Sequence, residues 1–256
     1  MSSLNSNKPF NNNVSEKQFN GYFVPAHNAK VIKASIKNGT APFLPDQTGK
    51  IDAKAIYNGN TGFCLNAKDL LPLQVENGDK SNVVVTFKTV NAAGTQVKEG
   101  EKGFFYNYVK DKETNTIGTS QFFFPEQTAN PEAVAKAVEE KVKKNGERKL
   151  DKTIEITSAE PEEYLGAYIA ACKSGASLKA NPEVAKAFTE KFTEVLNNQL
   201  SKPADRKEGV DKFSELMFKV DTKANAINQK LYAEVKQEQQ QAQNQGKKKE
   251  QGMERS

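Results

Sequence analysis

The stretch TFKTVNAAGTQVKEGEKGFFYNYV, Thr86 to Val109, decides how the rest of the chain is read. Its first part, Thr86 to Ala93, has the makings of a short helix, with Thr86 as the N-cap and Gly94 marking the end. A charged turn follows, Lys98-Glu99-Gly100-Glu101-Lys102-Gly103, and an aromatic strand, Phe104 to Val109, leaves it. A second strand candidate, Gln121 to Phe124, lies beyond the polar segment Lys110 to Ser120. Together they predict a β-hairpin with a long loop. Along the first strand Phe104, Tyr106 and Tyr108 share one face, and Phe105, Asn107 and Val109 share the other.

Alternating aromatics on a strand ordinarily fill a core. Here rings stand on both faces, so one face can pack on helices while the other stays available. Open rings flanked by Lys98, Lys102, Lys110 and Lys112 would stack on unpaired bases while the lysines track phosphates. Each stacked base contributes roughly 1 to 3 kcal/mol. Stacking and phosphate contacts carry no sequence readout.

Upstream, residues 1 to about 20 are rich in Asn and Ser and are expected to be disordered. Asn28 to Asn38 suits a helix ended by Asn38-Gly39, and residues 40 to 62 are dominated by turn formers. Leu65 to Leu73 predicts a short helix stopped or kinked at Pro72.

Downstream of Pro125 the composition shifts to helix formers. Asn130-Pro131-Glu132 and Asn181-Pro182-Glu183 each combine a cap, a proline in the first turn and an acidic residue. Helices are expected from there to about Lys144 and about Leu200, with a third from Pro161 to about Cys172 and a short β-like Thr153 to Ile156. The terminal helix, from about Asp205, places Val210, Phe213, Met217, Val220, Ala224, Ile227 and Leu231 on a narrow apolar seam. That seam needs a partner, either the chain's own helices or a second copy in a homodimer. The Gln-rich segment from Gln237 has no apolar periodicity and is expected to be a frayed helix or disorder.

Composition narrows the functional classes. The formal net charge of +5 in 256 residues permits an anionic partner without demanding one. Cys64 and Cys172 lie far apart with no CxxC or Cys/His spacing, which suits free thiols in a reducing cytosol, with a disulfide between them as the alternative. No apolar run approaches the ~20 residues of a membrane span, and Met1 to Asn13 lacks the apolar core of a signal peptide, so a cytoplasmic protein is expected. The single histidine, His27, has no Cys or second His with which to share a metal. There is no HExxH, Walker A loop or GxGxxG. Glu139-Glu140 and Glu162-Glu163 suit solvated helix faces. No enzyme, cofactor or metal site is expected.

The order of motifs adds a family resemblance. Thr86-Phe87-Lys88, Gly94 and Val97 to Gly103, followed by an apolar strand, resemble the N-terminal single-stranded-DNA-binding domain of ArdC-type antirestriction proteins. Phe123-Phe124-Pro125-Glu126-Gln127-Thr128 is similar to the end of that domain's second strand. Gly39-Thr40-Ala41-Pro42-Phe43 is similar to its G-x-x-P-W, and Tyr57-Asn58-Gly59 or Asn60-Thr61-Gly62 to its glycine-rich stretch. The resemblance covers about residues 30 to 128. Thr89 replaces a glutamine, Phe43 a tryptophan, and Val84 or Val85 another tryptophan. The family's full-length members add an HExxH metallopeptidase domain, which one histidine cannot supply.

The expected fold is α+β: a small N-terminal module with a β-hairpin and short helices, then an all-α region with a long terminal helix. The expected division is 1–20 disordered, 21–128 DNA-binding module, 129–236 helical region and 237–256 polar tail. The resemblance implies a sequence-tolerant single-stranded DNA-binding protein of a phage or plasmid that handles or protects DNA. Lys88, Lys98, Lys102, Lys110 and Lys112 would contact phosphates, and Phe104, Tyr106, Tyr108, Phe122 or Phe124 would stack on bases. The competing expectation is a protein-interaction or structural protein, such as a phage inhibitor or virion component, that uses the terminal heptad helix.

Overall fold

The computed structural model describes residues 23–78, 80–111, 113, 116–146, 149–200 and 206–253. The N-terminal segment expected to be disordered lies outside them. The first helix, α1 (Phe23–Lys37), ends at Gly39, whose φ of 68° supplies the left-handed residue that closes it. Two-residue strands β1 (Lys50–Ile51) and β2 (Tyr57–Asn58) follow within the turn-rich segment.

Helix α2 (Ala67–Asn77) runs through Pro72 instead of stopping there. A proline in a helix removes the amide that the carbonyl four residues earlier would accept from. That carbonyl, on Lys68, instead accepts a hydrogen bond of 3.0 Å from Asn28 Nδ2 on α1. The deficit therefore becomes a bond between two helices.

Strand β3 (Val83–Thr86) leads directly into α3 (Phe87–Ala92), then come β4 (Phe104–Asp111) and β5 (Thr116–Phe123). They form a four-stranded sheet in the order β2-β3-β5-β4, with β2 and β3 parallel and the other pairs antiparallel. The expected hairpin is present, its strands longer than the aromatic runs alone suggested. Thr86 occupies the N-cap position of α3, but its hydroxyl turns to Asn60 and Thr89 instead of capping an amide.

After a short 3-10 turn at Pro125–Gln127, α4 (Pro131–Asn145) is capped by Asn130, whose Oδ1 accepts from Ala133 N at 3.1 Å. The chain continues through β6 (Thr153–Ile156), α5 (Pro161–Ser174), β7 (Ser177–Ala180), α6 (Pro182–Leu200) and α7 (Arg206–Met253). The C-terminal region is thus helical and ends in a long helix. It also carries two strands: β6 and β7 are parallel, and β1 joins β7 antiparallel in the order β1-β7-β6. This second sheet spans the expected boundary between 128 and 129.

The core spans that boundary as well. Phe43 is fully buried, edge-on to Tyr168, Phe188 and Phe192 at centroid distances of 6.1, 5.8 and 6.1 Å, and its carbonyl accepts from the Tyr164 hydroxyl at 3.1 Å. The N-terminal segment is therefore plugged into α5 and α6.

The apolar seam of α7 packs inward in the same way. Phe213, Met217, Val220 and Ala224 are buried, and Ile227 and Leu231 are half-buried against the same core. On α5, Gly166 lets the two helices approach: a Cβ there would stand 2.7 Å from that of Lys223. Of the two partners expected for the seam, the chain's own helices cover Phe213, Met217, Val220 and Ala224; the Val210 side chain lies outside the described residues. The Gln-rich segment, expected to be a frayed helix or disorder, continues α7 as far as Met253, in keeping with the helix preference of Gln, Glu, Lys and Ala. Among the described residues no helix is long and apolar enough to cross a membrane, and no cluster of three His, Cys, Asp or Glu could hold a metal.

Candidate nucleic-acid interface

Two structural devices hold the hairpin. The first is Gln127, nearly buried, whose Oε1 accepts from Phe124 N at 2.9 Å while Nε2 donates to Glu101 Oε2 at 2.9 Å and to Lys102 O at 3.0 Å. The carbonyl of Gln127 accepts from Lys98 N at 2.9 Å. One side chain thus ties the turn Lys98 to Gly103 to the end of β5, and the two sequence motifs form a single clamp.

The second device is the loop from Asn58 to Asn66. Gly62 has a φ of 78°, and a Cβ there would run into the carbonyl of Lys141 on α4. Asn145, at the end of α4, donates to Thr61 O at 2.8 Å. On the other side Asn60 Nδ2 donates to Thr86 Oγ1 at 3.2 Å, and Asn60 Oδ1 accepts from Thr89 Oγ1. The glycine-rich loop is fixed between α3 and α4.

The face of the hairpin that carries Phe104, Tyr106 and Tyr108 also carries Phe122, because Phe104 pairs with Phe122 across the sheet. This face changes character along its length. Phe104, Phe122 and Phe124 are at most 8 % exposed and fill the core. The expectation that they stack on bases is corrected: their end of the sheet is covered by the chain's own apolar side chains. Tyr106 is half-buried and stacks on Phe122 at 3.9 Å with an interplanar angle of 11°. Tyr108, further out, is 43 % exposed.

Tyr106 and Tyr108 form one wall of an open cleft of about 310 Å³, and the Asn58–Asn66 loop and the start of α2 form the other. Phe63, 56 % exposed, stands on that opposite wall. Lys68 lines the cleft too and donates from Nζ to Asn107 O on β4 at 3.1 Å. The site therefore combines three accessible or partly accessible rings with one lysine.

Asp69 is the anionic exception. It lies in the first turn of α2, lines the cleft and is only 7 % exposed. Burial pushes its carboxyl up to about 6, with Lys68 opposing the rise and Asp221 adding to it. Asp221, on α7, accepts from Ala67 N at 3.2 Å and from Lys173 Nζ at 2.9 Å, which anchors the start of α2 to α7. Cys64, beside the cleft, is a free thiol raised by burial to about 12. Cys172 is a free buried thiol, also raised by burial.

The remaining expected contacts lie elsewhere. Lys88 is exposed on α3, Lys102 on the clamped turn and Lys110 near the tip of β4. Lys98 is exposed and donates from Nζ to Glu126 O at 2.9 Å. Lys112 lies outside the described residues. Among the described residues the cleft is lined by Lys68 and none of these four lysines. Phe63 and Lys68 were not singled out from the sequence, although the glycine-rich motif next to Phe63 pointed toward the loop.

Residues 27–156 match the family described as the N-terminal domain of anti-restriction factor ArdC. The chain belongs to this family. The match extends past the expected end at 128 and takes in α4 and β6, so the ArdC-type unit includes the helix that grips the glycine-rich loop. A crystal structure of the antirestriction ArdC protein from R388 plasmid, metal-free, is similar at 12 % identity and a TM-score of 0.45, covering 80 % of this chain and 99 % of that one. No curated protein matches the chain.

Proposed function

We propose that this ArdC-type chain is a non-enzymatic protein that binds single-stranded DNA, without strong sequence preference, in the cleft between the hairpin and the glycine-rich loop. The observation that carries the reading is the pairing of Tyr106 and Tyr108 on one wall with the exposed Phe63 on the other. Facing rings accept unpaired bases of any identity, since every base has a π face. A duplex keeps its bases stacked and offers them nothing. Lys68 at the cleft contributes positive charge, and Lys88, Lys102 and Lys110 on the surrounding surface add to the phosphate attraction.

Membership of the ArdC N-terminal family supports a role in a mobile element that handles or protects its DNA. The test is a titration of labelled single-stranded and duplex oligonucleotides at two salt concentrations. Tighter binding of the single strand, weakening as salt rises, is expected. Equal affinity for both forms removes the stacking role, and no binding at low salt overturns the reading.

A further inference from the structure

The start of α2 carries two polar side chains that its own helix does not use. Asn66 stands at the N-cap and Asp69 three residues on, the spacing of a capping box, in which each side chain bonds the other's backbone amide. Neither bond forms here. Asn66 makes no side-chain cap bond, and Asp69 N donates to Asn66 O at 3.1 Å instead. The amide between them, Ala67 N, is taken by the Asp221 carboxylate of α7. With the helix start held from outside, both box side chains are released.

Both line the cleft. Asn66 is exposed, and Asp69 keeps 7 % of its surface open while its carboxyl makes no hydrogen bond among the described residues. A carboxyl so deeply buried is costly without donors, and a ligand that supplies them offsets the cost. Burial places its ionisation near 6, so at pH 8 it is a carboxylate. Like charges repel, so the part of a DNA strand that fits beside it is a base and not a phosphate.

The base edges differ in what they offer this pair. A carboxylate is acceptor-only, with two oxygens side by side, and an amide adds a donor. Guanine presents the acceptor O6 and then two adjacent donors, N1–H and the 2-amino group. Thymine has a single donor, N3–H, flanked by carbonyl oxygens, so its O2 would face the second carboxylate oxygen. Adenine and cytosine set a ring-nitrogen acceptor beside their amino group. Among the four bases, guanine alone meets both carboxylate oxygens with donors.

We infer that the cleft seats one guanine by its Watson–Crick edge, with the Asp69 carboxylate accepting from N1–H and the 2-amino group and Asn66 Nδ2 donating to O6. The inference rests on the binding reading above, in which Tyr106, Tyr108 and Phe63 take the faces of the base. Strands of any sequence still stack there. A guanine, where the strand has one, fixes which nucleotide occupies the cleft.

The test compares affinities of the full chain at pH 8 for nine-nucleotide dT strands whose central position is dG, deoxyinosine or dA. Deoxyinosine lacks only the 2-amino group of dG, and dA is a purine with the wrong edge. The account predicts that the dG strand binds at least about fivefold tighter than either, a minimal value for a bidentate base contact. Asp69→Asn, which keeps the side chain's size and replaces one acceptor with a donor, removes the difference between dG and deoxyinosine. A dG strand without this advantage over either of the others overturns the inference and leaves the cleft reading standing, and a variant that keeps the preference overturns it as well. No binding of any strand overturns both. The comparison of strands needs no variant to fold.

Discussion

At the residue scale, exposure separates rings that build the sheet from rings that can meet DNA. Tyr108 and Phe124 occupy the same hairpin, yet one is 43 % exposed and the other 4 %. Tyr108→Ala is expected to leave the melting temperature nearly unchanged and to weaken single-stranded DNA binding by about 1–3 kcal/mol, measured by titration. Phe124→Ala is expected to do the reverse, lowering unfolding free energy by about 3–5 kcal/mol in denaturant. Asp69 adds a pH dependence. Its carboxyl, raised to about 6, is neutral below that value and anionic above it. Affinity for single-stranded DNA should therefore rise as pH falls through about 6, and Asp69→Asn should flatten that rise. The same shift affects folding. Between the ordinary 3.8 and about 6 the native state holds a proton that the unfolded chain has lost, so Asp69 makes the fold less stable as pH rises through that window. The sequence offered no sign of this, because nothing local marks Asp69 as buried; α2 packs it inward, and Asp221 approaches from more than a hundred residues away.

At the scale of elements, the family motifs turn out to be fasteners. The Lys98 to Gly103 turn looked like a basic contact surface, but Gln127 ties its backbone to β5 and Lys98 is spent partly on the Glu126 carbonyl. Gln127→Ala leaves the groups around it short of partners and should lower stability by about 1–3 kcal/mol. The glycine-rich loop is equally constrained. Gly62→Ala forces a side chain into the Lys141 carbonyl at a positive φ, so a loss of more than ~1 kcal/mol is expected, with DNA affinity falling as the Phe63 wall shifts. The hairpin and the helices beyond Pro131 were legible because alternation, proline and capping residues are local signals. Strand β3 was harder to see: Val83, Val84 and Val85 are a short apolar run with no alternation, and α3 begins immediately after it. Strand β7 escaped for a different reason: Ser177 to Ala180 alternates as β6 does but lacks the β-branched residues that marked Thr153 to Ile156.

At the scale of the whole molecule, sequence composition suggested two regions and packing joins them. Phe43 inserts between side chains of α5 and α6, β1 completes a sheet with β7, and Asp221 on α7 anchors the start of α2. A fragment ending at residue 128 loses all three and should be unfolded by circular dichroism, whereas the full chain should unfold in one transition. The long-range contacts that decide this have no local signature, which is why a composition shift at Pro125 looked like a boundary. The same packing creates the cleft, because the wall bearing Phe63 is held by α4 and the hairpin wall by β3 and β5. The most direct measurement is photo-cross-linking of the full chain to a single-stranded oligonucleotide carrying 5-bromodeoxyuridine, with adducts located by mass spectrometry. The account predicts adducts at Tyr106, Tyr108 or Phe63; adducts confined to surfaces away from the cleft would contradict it.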